Sequence, residues 1–258
     1  MIRLPLTPPD DFEPPNSSED FYAEVIRLMA ESEIPFLLSG TYALSCYTGI
    51  KRPTKDVDVF AKAGDALRML SFFKDKGFDV EIVDDRWLAR VTRGEQFVDI
   101  ITNMPTSATH VTDEWFRDAP EARLFDTKVH LVPPTQFVWS KIYVQDRYRY
   151  DGADVTHMFL KRSDDIDWKQ LISSMELHWE VLLVAVLNFR FIYPSERHLI
   201  PRWVMDELLE RLHAQLSMPS AGKRVCRGRI FSPRDYQIDI AEWDFSEAVG
   251  NLEENYAH

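Results

Sequence analysis

Cysteine is scarce in this sequence, and so are glycine and long hydrophobic runs. The two cysteines among 258 residues, Cys46 and Cys226, cannot build a disulfide framework and form no CxxC pair, so we expect a cytoplasmic protein. Nine glycines against fifteen prolines exclude a low-complexity or collagen-like chain. The longest apolar run, residues 181–187, is far shorter than the roughly 20 residues that a membrane-spanning helix needs. We therefore predict a globular protein with no membrane partner.

Positive charge is also in short supply. Thirty lysines and arginines against forty-two aspartates and glutamates give a net charge of −12, which disfavours non-specific attraction to nucleic acid or anionic membranes. Residues 221–234 are an exception, because this segment carries five basic residues and no acidic one. The five are Lys223, Arg224, Arg227, Arg229 and Arg234. This basic window is either a weak pointer to a tRNA partner or an ordinary solvated loop.

The pattern of elements changes near the middle of the chain. Residues 1–18 are rich in proline and acidic residues, and we expect a disordered leader there. Strand and helix patterns alternate over 19–132, whereas helical patterns alone follow over 133–258. Pro133-Pro134 marks the boundary. The sequence predicts an α/β (α+β) fold, with a small mixed β-sheet and flanking helices followed by a helical C-terminal domain.

Hydrophobic spacing predicts the individual elements. In the first domain we expect strands at 34–38, 56–60, 78–83, 87–91 and 96–101, and a hairpin over 123–132. Helices are expected at 21–31, from Thr41 to Gly49, at 64–76 and near Trp115, with Thr41 as the cap of the second. In the second domain the expected helices are 135–148, 153–160, 167–175, 178–191 and 203–216.

Three aspartates in this pattern point to metal chemistry. Residues i and i+2 of a strand face the same way, so Asp56 and Asp58 present two carboxylates side by side. The valines that alternate with them are expected to pack inward. Asp99, in the later strand FVDII, offers a third carboxylate, and such a set suits Mg²⁺ or Mn²⁺ beside a substrate phosphate. By its alternation alone, a DVDV strand is most often just half-exposed.

A glycine turn precedes the aspartate pair. Ser39-Gly40-Thr41 follows a predicted strand and opens a helix. Its backbone N–H groups and the positive end of the helix dipole can hold phosphate oxygens. Taken alone, such a turn is more often a plain connection between two elements. The joint order of strand, glycine turn, helix and aspartate strand favours the phosphate interpretation.

With this combination the sequence resembles the DNA polymerase β-like nucleotidyltransferases, whose signature is a Gly-Gly or Gly-Ser turn, a D-x-D strand and a later lone acidic strand residue. The motif-level match spans residues 34–101. Within it, LLSGTYALSCYTGIKRPTKDVDVF looks like an uncharacterised bacterial branch related to abortive-infection toxin nucleotidyltransferases. The resemblance continues into WSKIYVQDRYRYDGADVTHMF and KRVCRG.

The resemblance implies roles for the residues already singled out. The metal-binding and catalytic carboxylates would be Asp56, Asp58 and Asp99. The triphosphate would lie against the turn Ser39, Gly40 and Thr41, where the family typically has Gly-Gly or Gly-Ser.

Further basic and acidic residues are candidates for accessory roles. Arg52 and Lys55 precede the aspartate pair and can hold phosphate or acceptor groups, or form a solvated loop that balances the acids. Lys141, in a helix with apolar neighbours, resembles a lysine that contacts the triphosphate in the toxin relatives. Asp151 and Asp154 resemble two acids that follow that lysine, and Asp151 is also a candidate helix N-cap.

These observations predict a Mg²⁺- or Mn²⁺-dependent nucleotidyltransferase. It would transfer a nucleoside monophosphate from an NTP to a hydroxyl acceptor and release pyrophosphate. The acceptor is left open between a tRNA or other RNA end, a protein and an aminoglycoside-like small molecule, and a toxin-like role with an antitoxin partner is a further expectation from the resemblance. The alternative is a catalytically silent member of the fold that senses nucleotides or binds a partner.

Overall fold

A mixed five-stranded β-sheet organises the first part of the chain. The computed structural model describes residues 19–104 and 110–248. The strands, in chain order β1 to β5, are Leu37–Leu38, Val57–Phe60, Asp79–Asp84, Leu88–Arg93 and Gln96–Ile101. They lie in the order β1-β2-β5-β4-β3, with β2 parallel to β5 and the other neighbouring pairs antiparallel. The predicted mixed sheet is confirmed.

Alternating burial along β2 and β5 sets the two faces of the sheet. Val57 and Val59 are fully buried, as their spacing predicts, whereas Asp58 between them is half-buried. Asp99 of β5 likewise lies between two fully buried apolar residues. Because β2 and β5 are paired in register, Asp58 lies directly opposite Asp99, and both side chains share one face.

Within the described residues, four helices and a hairpin accompany the sheet. The helices α1 to α4 are Glu19–Glu31, Gly40–Thr48, Ala63–Asp75 and Asp113–Arg117. The hairpin strands β6 and β7 are Glu121–Leu124 and Thr127–His130. The apolar stripe of α1 is buried, and it consists of Phe21, Val25, Ile26 and Met29. Burial of this stripe stabilises α1 in the folded chain, because a helix of this length is only marginally stable alone in water.

The second helix, α2, begins one residue earlier than predicted. Ser39 is its N-cap residue and Gly40 is its first residue, so the expectation that Thr41 is the cap is wrong. Gly40 has φ of 59°, and this left-handed conformation turns the chain straight from β1 into the helix. At the other end the helix stops at Gly49, as predicted, where φ is 74°.

Helices dominate the remainder of the described chain. The helices α5 to α10 are Pro134–Lys141, Gly152–Arg162, Trp168–Ser174, Trp179–Ile192, Arg202–Leu216 and Gln237–Ala241. Two short parallel strands that the sequence did not predict, β8 and β9, are Val225–Cys226 and Ser246–Glu247. The Phe159 ring packs against Trp168 and Phe189, with centroid separations of 5.1 and 5.9 Å. No described helix alone has the length and apolar composition to cross a membrane, and one pair joined across a 77° bend meets those criteria together.

The helix predicted over 135–148 is shorter in the structure, because α5 ends at Lys141. A tight loop follows, in which the Val144 N–H donates to the Lys141 carbonyl oxygen at 3.0 Å. A bridge then pairs Gln145 with Tyr150. The sequence pattern missed this loop because apolar residues at helical spacing continue past Lys141.

The described residues form two compact units. The first runs to Phe137 and the second begins at Val138, so the division falls inside α5. The domain boundary that the sequence suggests at Pro133-Pro134 stays a prediction. The disordered leader expected for residues 1–18 lies outside the described residues.

Candidate metal and nucleotide site

Three aspartate carboxylates come together on one face of the sheet. Asp56 directly precedes β2, Asp58 lies within it, and Asp99 lies opposite Asp58 in β5. One carboxylate oxygen from each residue lies within 4.8 Å of those from the other two. The structure therefore brings together the three residues that the sequence singled out for metal binding.

Neighbouring side chains hold two of these carboxylates in place. The buried Thr54 hydroxyl donates a hydrogen bond to Asp56 Oδ1 at 2.9 Å. Arg90 on β4 binds Asp99 through two contacts, from Nε to Oδ1 at 2.6 Å and from Nη2 to Oδ2 at 3.1 Å. The hydrogen bond to Asp99 is the largest influence on Arg90 and raises the pKa of its guanidinium above the ordinary value. Asp56 and Asp99 are thus anchored by different kinds of partner, one neutral and one cationic.

The glycine turn passes directly over Asp58. A Cβ atom at Gly40 would fall well inside van der Waals contact with Asp58 Oδ2. The Ser39 N–H donates to the Asp58 backbone oxygen at 2.9 Å, which fastens the turn to β2. Glycine is required here both for this close approach and for its positive φ. The turn and the acidic cluster therefore form one continuous site.

The N-terminus of α2 adds electrostatic attraction for anions at the same place. The helix has nine residues, and its N-cap residue Ser39 makes no side-chain capping hydrogen bond. The first N–H groups of a helix and its positive dipole end favour phosphate. Ser39 is 3% exposed, and Thr41 is half-buried. This end of α2 suits a phosphate group beside the carboxylates.

Two basic residues lie on the segment that leads into β2. Arg52 and Lys55 are both exposed. Arg52 Nη2 lies 3.4 Å from Thr41 Oγ1, which places a positive charge at the glycine turn. The backbone oxygen of Lys55 accepts a hydrogen bond from the Tyr22 hydroxyl at 2.6 Å, which ties the segment to α1. The phosphate-binding role of both basic side chains stays a prediction.

The donor set fits a hard divalent cation. Carboxylate oxygens are the ligands that Mg²⁺ and Mn²⁺ prefer, in company with water and phosphate oxygens. Three carboxylates in mutual reach provide such oxygens, and one of them, Asp58, fills the place that a Cβ at Gly40 would take. The residues present therefore fit Mg²⁺ or Mn²⁺.

Lys141 lies in the second unit, within a buried ion-pair cluster. Its Nζ atom is 2.7 Å from Asp151 Oδ2 and 3.7 Å from Asp154 Oδ2, and the three side chains are 8%, 8% and 2% exposed. Arg149 contacts Asp151 as well, with Nη2 at 3.1 Å from Oδ2. Burial raises the pKa of Asp151, but the charges and hydrogen bonds of Lys141 and Arg149 outweigh it, so this pKa lies below its ordinary value.

Asp151 occupies the N-cap position of α6, as the alternative interpretation of this residue proposed. Its side chain makes no capping hydrogen bond and pairs with Lys141 instead. The structure thus groups Lys141, Asp151 and Asp154, and their roles toward a nucleotide stay predictions.

The sequence patterns did not single out Arg90 and Thr54 as partners of the aspartate cluster. The position of Arg90 opposite Asp99 could be predicted from the sequence, because the two residues at 94–95 join β4 to β5 as a tight hairpin. A two-residue connection fixes the pairing register, and counting back along both strands places Arg90 opposite Asp99. Thr54 carried no comparable signal, since its hydrogen bond to Asp56 depends on the local loop conformation.

The basic window lies in the second unit and has partners there. Four of its five basic side chains contact other residues of this unit. The contacts are Arg229 with Glu247 at 2.5 Å, Arg227 with the Leu177 carbonyl oxygen at 3.4 Å, Arg224 over the Phe245 ring and Arg234 over the Tyr148 ring. These contacts hold four of the five side chains within the second unit, and Glu247 neutralises the charge of Arg229.

No protein-family model matches this chain, and no curated protein matches it either. Solved structures do match. One is the lincosamide antibiotic adenylyltransferase LnuA with lincomycin bound, at 16% identity over 57% of this chain and 98% of that chain, with a TM-score of 0.39. A second is an antigenic nucleotidyltransferase-like protein from Paracoccidioides brasiliensis, at 15% identity over 72% and 93%, with a TM-score of 0.44. A third is the antibiotic-resistance factor ANT(2'')-Ia, at 14% identity over 70% and 97%, with a TM-score of 0.39.

Proposed function

We propose that this chain is a metal-dependent nucleotidyltransferase that moves a nucleoside monophosphate from an NTP to a hydroxyl acceptor and releases pyrophosphate. The observation that carries the proposal is the convergence of Asp56, Asp58 and Asp99 under a glycine turn. An acidic cluster alone occurs on many surfaces. Here a backbone turn that can bind phosphate lies in contact with one of the carboxylates, which is the combination that a metal–triphosphate substrate requires.

The glycine turn binds the triphosphate in this proposal. The N–H groups that follow Ser39, the dipole of α2 and the hydroxyls of Ser39 and Thr41 would bind phosphate oxygens. Arg52, which already contacts Thr41, adds a positive charge, and Lys55 lies three residues further along. Because these groups are in place before the substrate arrives, little reorganisation is needed to hold the α-phosphorus in line with the acceptor.

The three aspartates provide the metal ligands and the proton acceptor in this proposal. Asp56 and Asp58 hold Mg²⁺ or Mn²⁺, which when bound neutralises the triphosphate and activates the attacking hydroxyl. Asp99 would hold the same cation, and its carboxylate would receive the proton of an acceptor hydroxyl bound beside it. Thr54 keeps Asp56 oriented through its hydrogen bond. In the second unit, Lys141 stays a predicted triphosphate ligand, and Asp151 and Asp154 stay predicted acceptor or accessory residues.

The charge distribution favours a small cationic acceptor over an RNA end. The chain carries a net charge of −12, which attracts cations and repels polyanions. Most side chains of the basic window, the one segment that pointed to RNA, have partners within the second unit. An aminoglycoside-like amine is therefore the acceptor class to test first, followed by proteins and tRNA. A cytoplasmic location and a toxin-like role with an antitoxin stay predictions from the sequence.

The test is transfer of label from each α-³²P NTP, with Mg²⁺ or Mn²⁺, to pools of aminoglycosides, proteins and tRNA. Asp58→Asn should abolish transfer, because the change removes a metal ligand at nearly constant volume. Asp79→Asn, an exposed aspartate on β3 of the same sheet, is the matched control and should retain full activity. NTP binding without transfer to any pool would contradict the proposal and support a silent nucleotide sensor.

A further inference from the structure

A row of charged residues crosses the sheet beside the aspartate cluster. Strand register places Asp58 on β2 opposite Asp99 on β5, Asp99 opposite Arg90 on β4, and Arg90 opposite Glu81 on β3. Directly opposed residues share a face of the sheet, so these four side chains project to the same side. Arg90 is the cation of the row and lies next to the carboxylates proposed to bind metal.

Several contacts fix the Arg90 guanidinium in this position. Its paired hydrogen bonds engage both oxygens of Asp99. The guanidinium carbon also lies over the Phe97 ring, 4.2 Å from its centroid, and this cation–π contact helps to hold the guanidinium in place. The side chains of Arg90 and Asp99 are 27% and 13% exposed, so solvent screens their attraction only in part. The pair is a built feature of the sheet and not a mobile surface contact.

We propose that Arg90 is a counter-ion that competes with the divalent cation for Asp99, so that the site resists metal in the absence of nucleotide. The inference rests on the proposed function and adds a regulatory device to its metal site. Three carboxylates in mutual reach would otherwise attract a divalent cation at any time. The guanidinium removes one unit of that negative charge, and it does so permanently because arginine keeps its proton in proteins.

The competing explanation is that Arg90 only holds Asp99 in place. The two explanations predict opposite changes in metal affinity when Arg90 is removed. A brace improves the geometry of a metal ligand, so its removal would weaken metal binding. A counter-ion repels the incoming cation, so its removal would strengthen metal binding. Repulsion between a unit charge and a divalent ion at neighbouring positions is worth about tenfold or more in affinity, even in a high dielectric. The direction of the change in Mn²⁺ affinity therefore separates the two explanations, and the counter-ion role requires an increase.

Arg93 provides a matched control on the same strand. It binds Glu24 through two contacts, at 2.6 and 3.2 Å, and its guanidinium carbon lies 4.1 Å from the Phe78 ring centroid. The pair thus repeats the chemistry of Arg90 and Asp99. Arg90 and Arg93 are three positions apart on β4, and side chains an odd number of positions apart face opposite ways, so Arg93 projects away from the aspartate cluster.

The experiment measures Mn²⁺ binding to the nucleotide-free protein by electron paramagnetic resonance, which needs no catalytic activity. Arg90→Gln should bind Mn²⁺ about tenfold or more tightly than the wild type, and the rise in melting temperature on adding Mn²⁺ should be larger. Arg93→Gln should match the wild type. Arg90→Lys keeps the charge but not the paired hydrogen bonds, so its Mn²⁺ affinity should stay near that of the wild type. This variant tests the role of the charge independently in case the glutamine variant misfolds.

Unchanged or weaker Mn²⁺ binding in Arg90→Gln would overturn the inference about Arg90. If Asp58→Asn still abolishes Mn²⁺ binding in that case, the proposed function survives and only the counter-ion role fails. If Asp58→Asn binds Mn²⁺ as well as the wild type, the cation does not occupy the aspartate cluster, and both proposals fail.

Discussion

Gly40 lies against the carboxylate of Asp58, so closely that no side chain fits between the glycine turn and the acidic cluster. The contact joins the two parts of the site that the sequence shows as separate motifs. Under the proposed function Gly40 is needed for more than its positive φ, because the backbone there would approach both the carboxylate and the phosphate.

Gly40→Ala should therefore abolish nucleotide transfer. The new Cβ displaces Asp58, and the left-handed backbone costs roughly 1 kcal/mol of stability in addition. Gly94→Ala is the control, since Gly94 has a similar φ of 62° but open space around its Cα. Both variants should lose about 1 kcal/mol in urea unfolding from the left-handed backbone, Gly40→Ala should lose more because of its clash with Asp58, and only Gly40→Ala should lose activity in the labelled-NTP assay. Equal activity in the two variants would show that the close approach is irrelevant to function.

Thr54→Val should lower kcat with little change in the overall fold. Removal of the hydroxyl leaves Asp56 without the hydrogen bond that orients it, and a misaimed ligand typically costs about tenfold to a hundredfold in affinity or activity. Thr54→Ser keeps the donor and should restore most of the rate. Steady-state kinetics at saturating NTP make the comparison. A serine variant as slow as the valine variant would point to packing of the lost methyl group instead.

Lys141→Met should destabilise the second unit by about 3–5 kcal/mol, because it leaves the buried carboxylates of Asp151 and Asp154 without their ammonium partner. Urea unfolding monitored by circular dichroism gives the free energy. Arg202→Gln is the control, since the Arg202–Asp206 pair on α9 is exposed and contributes little. A loss below 1 kcal/mol in Lys141→Met would mean that the buried cluster is not a stabilising unit.

Stability should fall as the pH is lowered through the range in which His178 titrates. Burial lowers the pKa of His178 below its ordinary value, and the charge of Arg227 lowers it further. The unfolded chain therefore binds a proton near pH 6.5 while the folded chain does not, so the free energy of unfolding declines as the pH falls from 6.5 toward the folded pKa. Its Nδ1 atom lies 2.9 Å from the Tyr143 hydroxyl, a contact between a phenol and a neutral ring.

The variant His178→Gln should flatten this pH dependence. Urea unfolding at pH 8, 6 and 5 provides the comparison, and His213→Gln, an exposed histidine on α9, should follow the wild type. An identical slope in His178→Gln and the wild type would contradict the account.

The sequence was sufficient for the elements that carry the site. Alternation in the strand of Asp56 and Asp58 predicted its inward valines, and the glycine turn predicted the start of α2 to within one residue. These features follow from local rules of strand period and positive φ, which a single sequence displays directly. The resemblance implied that Asp99 joins Asp56 and Asp58 at a metal site, and the strand order that brings Asp99 opposite Asp58 comes from the pairing of β2 with β5.

The features that the sequence did not yield depend on neighbours distant in the chain. The pairing of Arg229 with Glu247 in the basic window needs the return of β9 beside β8, whereas the contact of Arg90 with Asp99 follows from the two-residue turn between β4 and β5. The early end of α5 at Lys141 was hidden because the loop keeps helical apolar spacing. In each case tertiary pairing overrides a pattern that is locally ambiguous.

The proposed function depends on where a divalent cation binds. Crystals of the protein grown with Mn²⁺ and a non-hydrolysable NTP analogue would locate the metal by its anomalous scattering. Under the proposed function, we expect a Mn²⁺ peak bonded to oxygens of Asp56, Asp58 and Asp99, with the triphosphate against Ser39-Gly40-Thr41. A bound nucleotide whose metal lies away from these three carboxylates would contradict it.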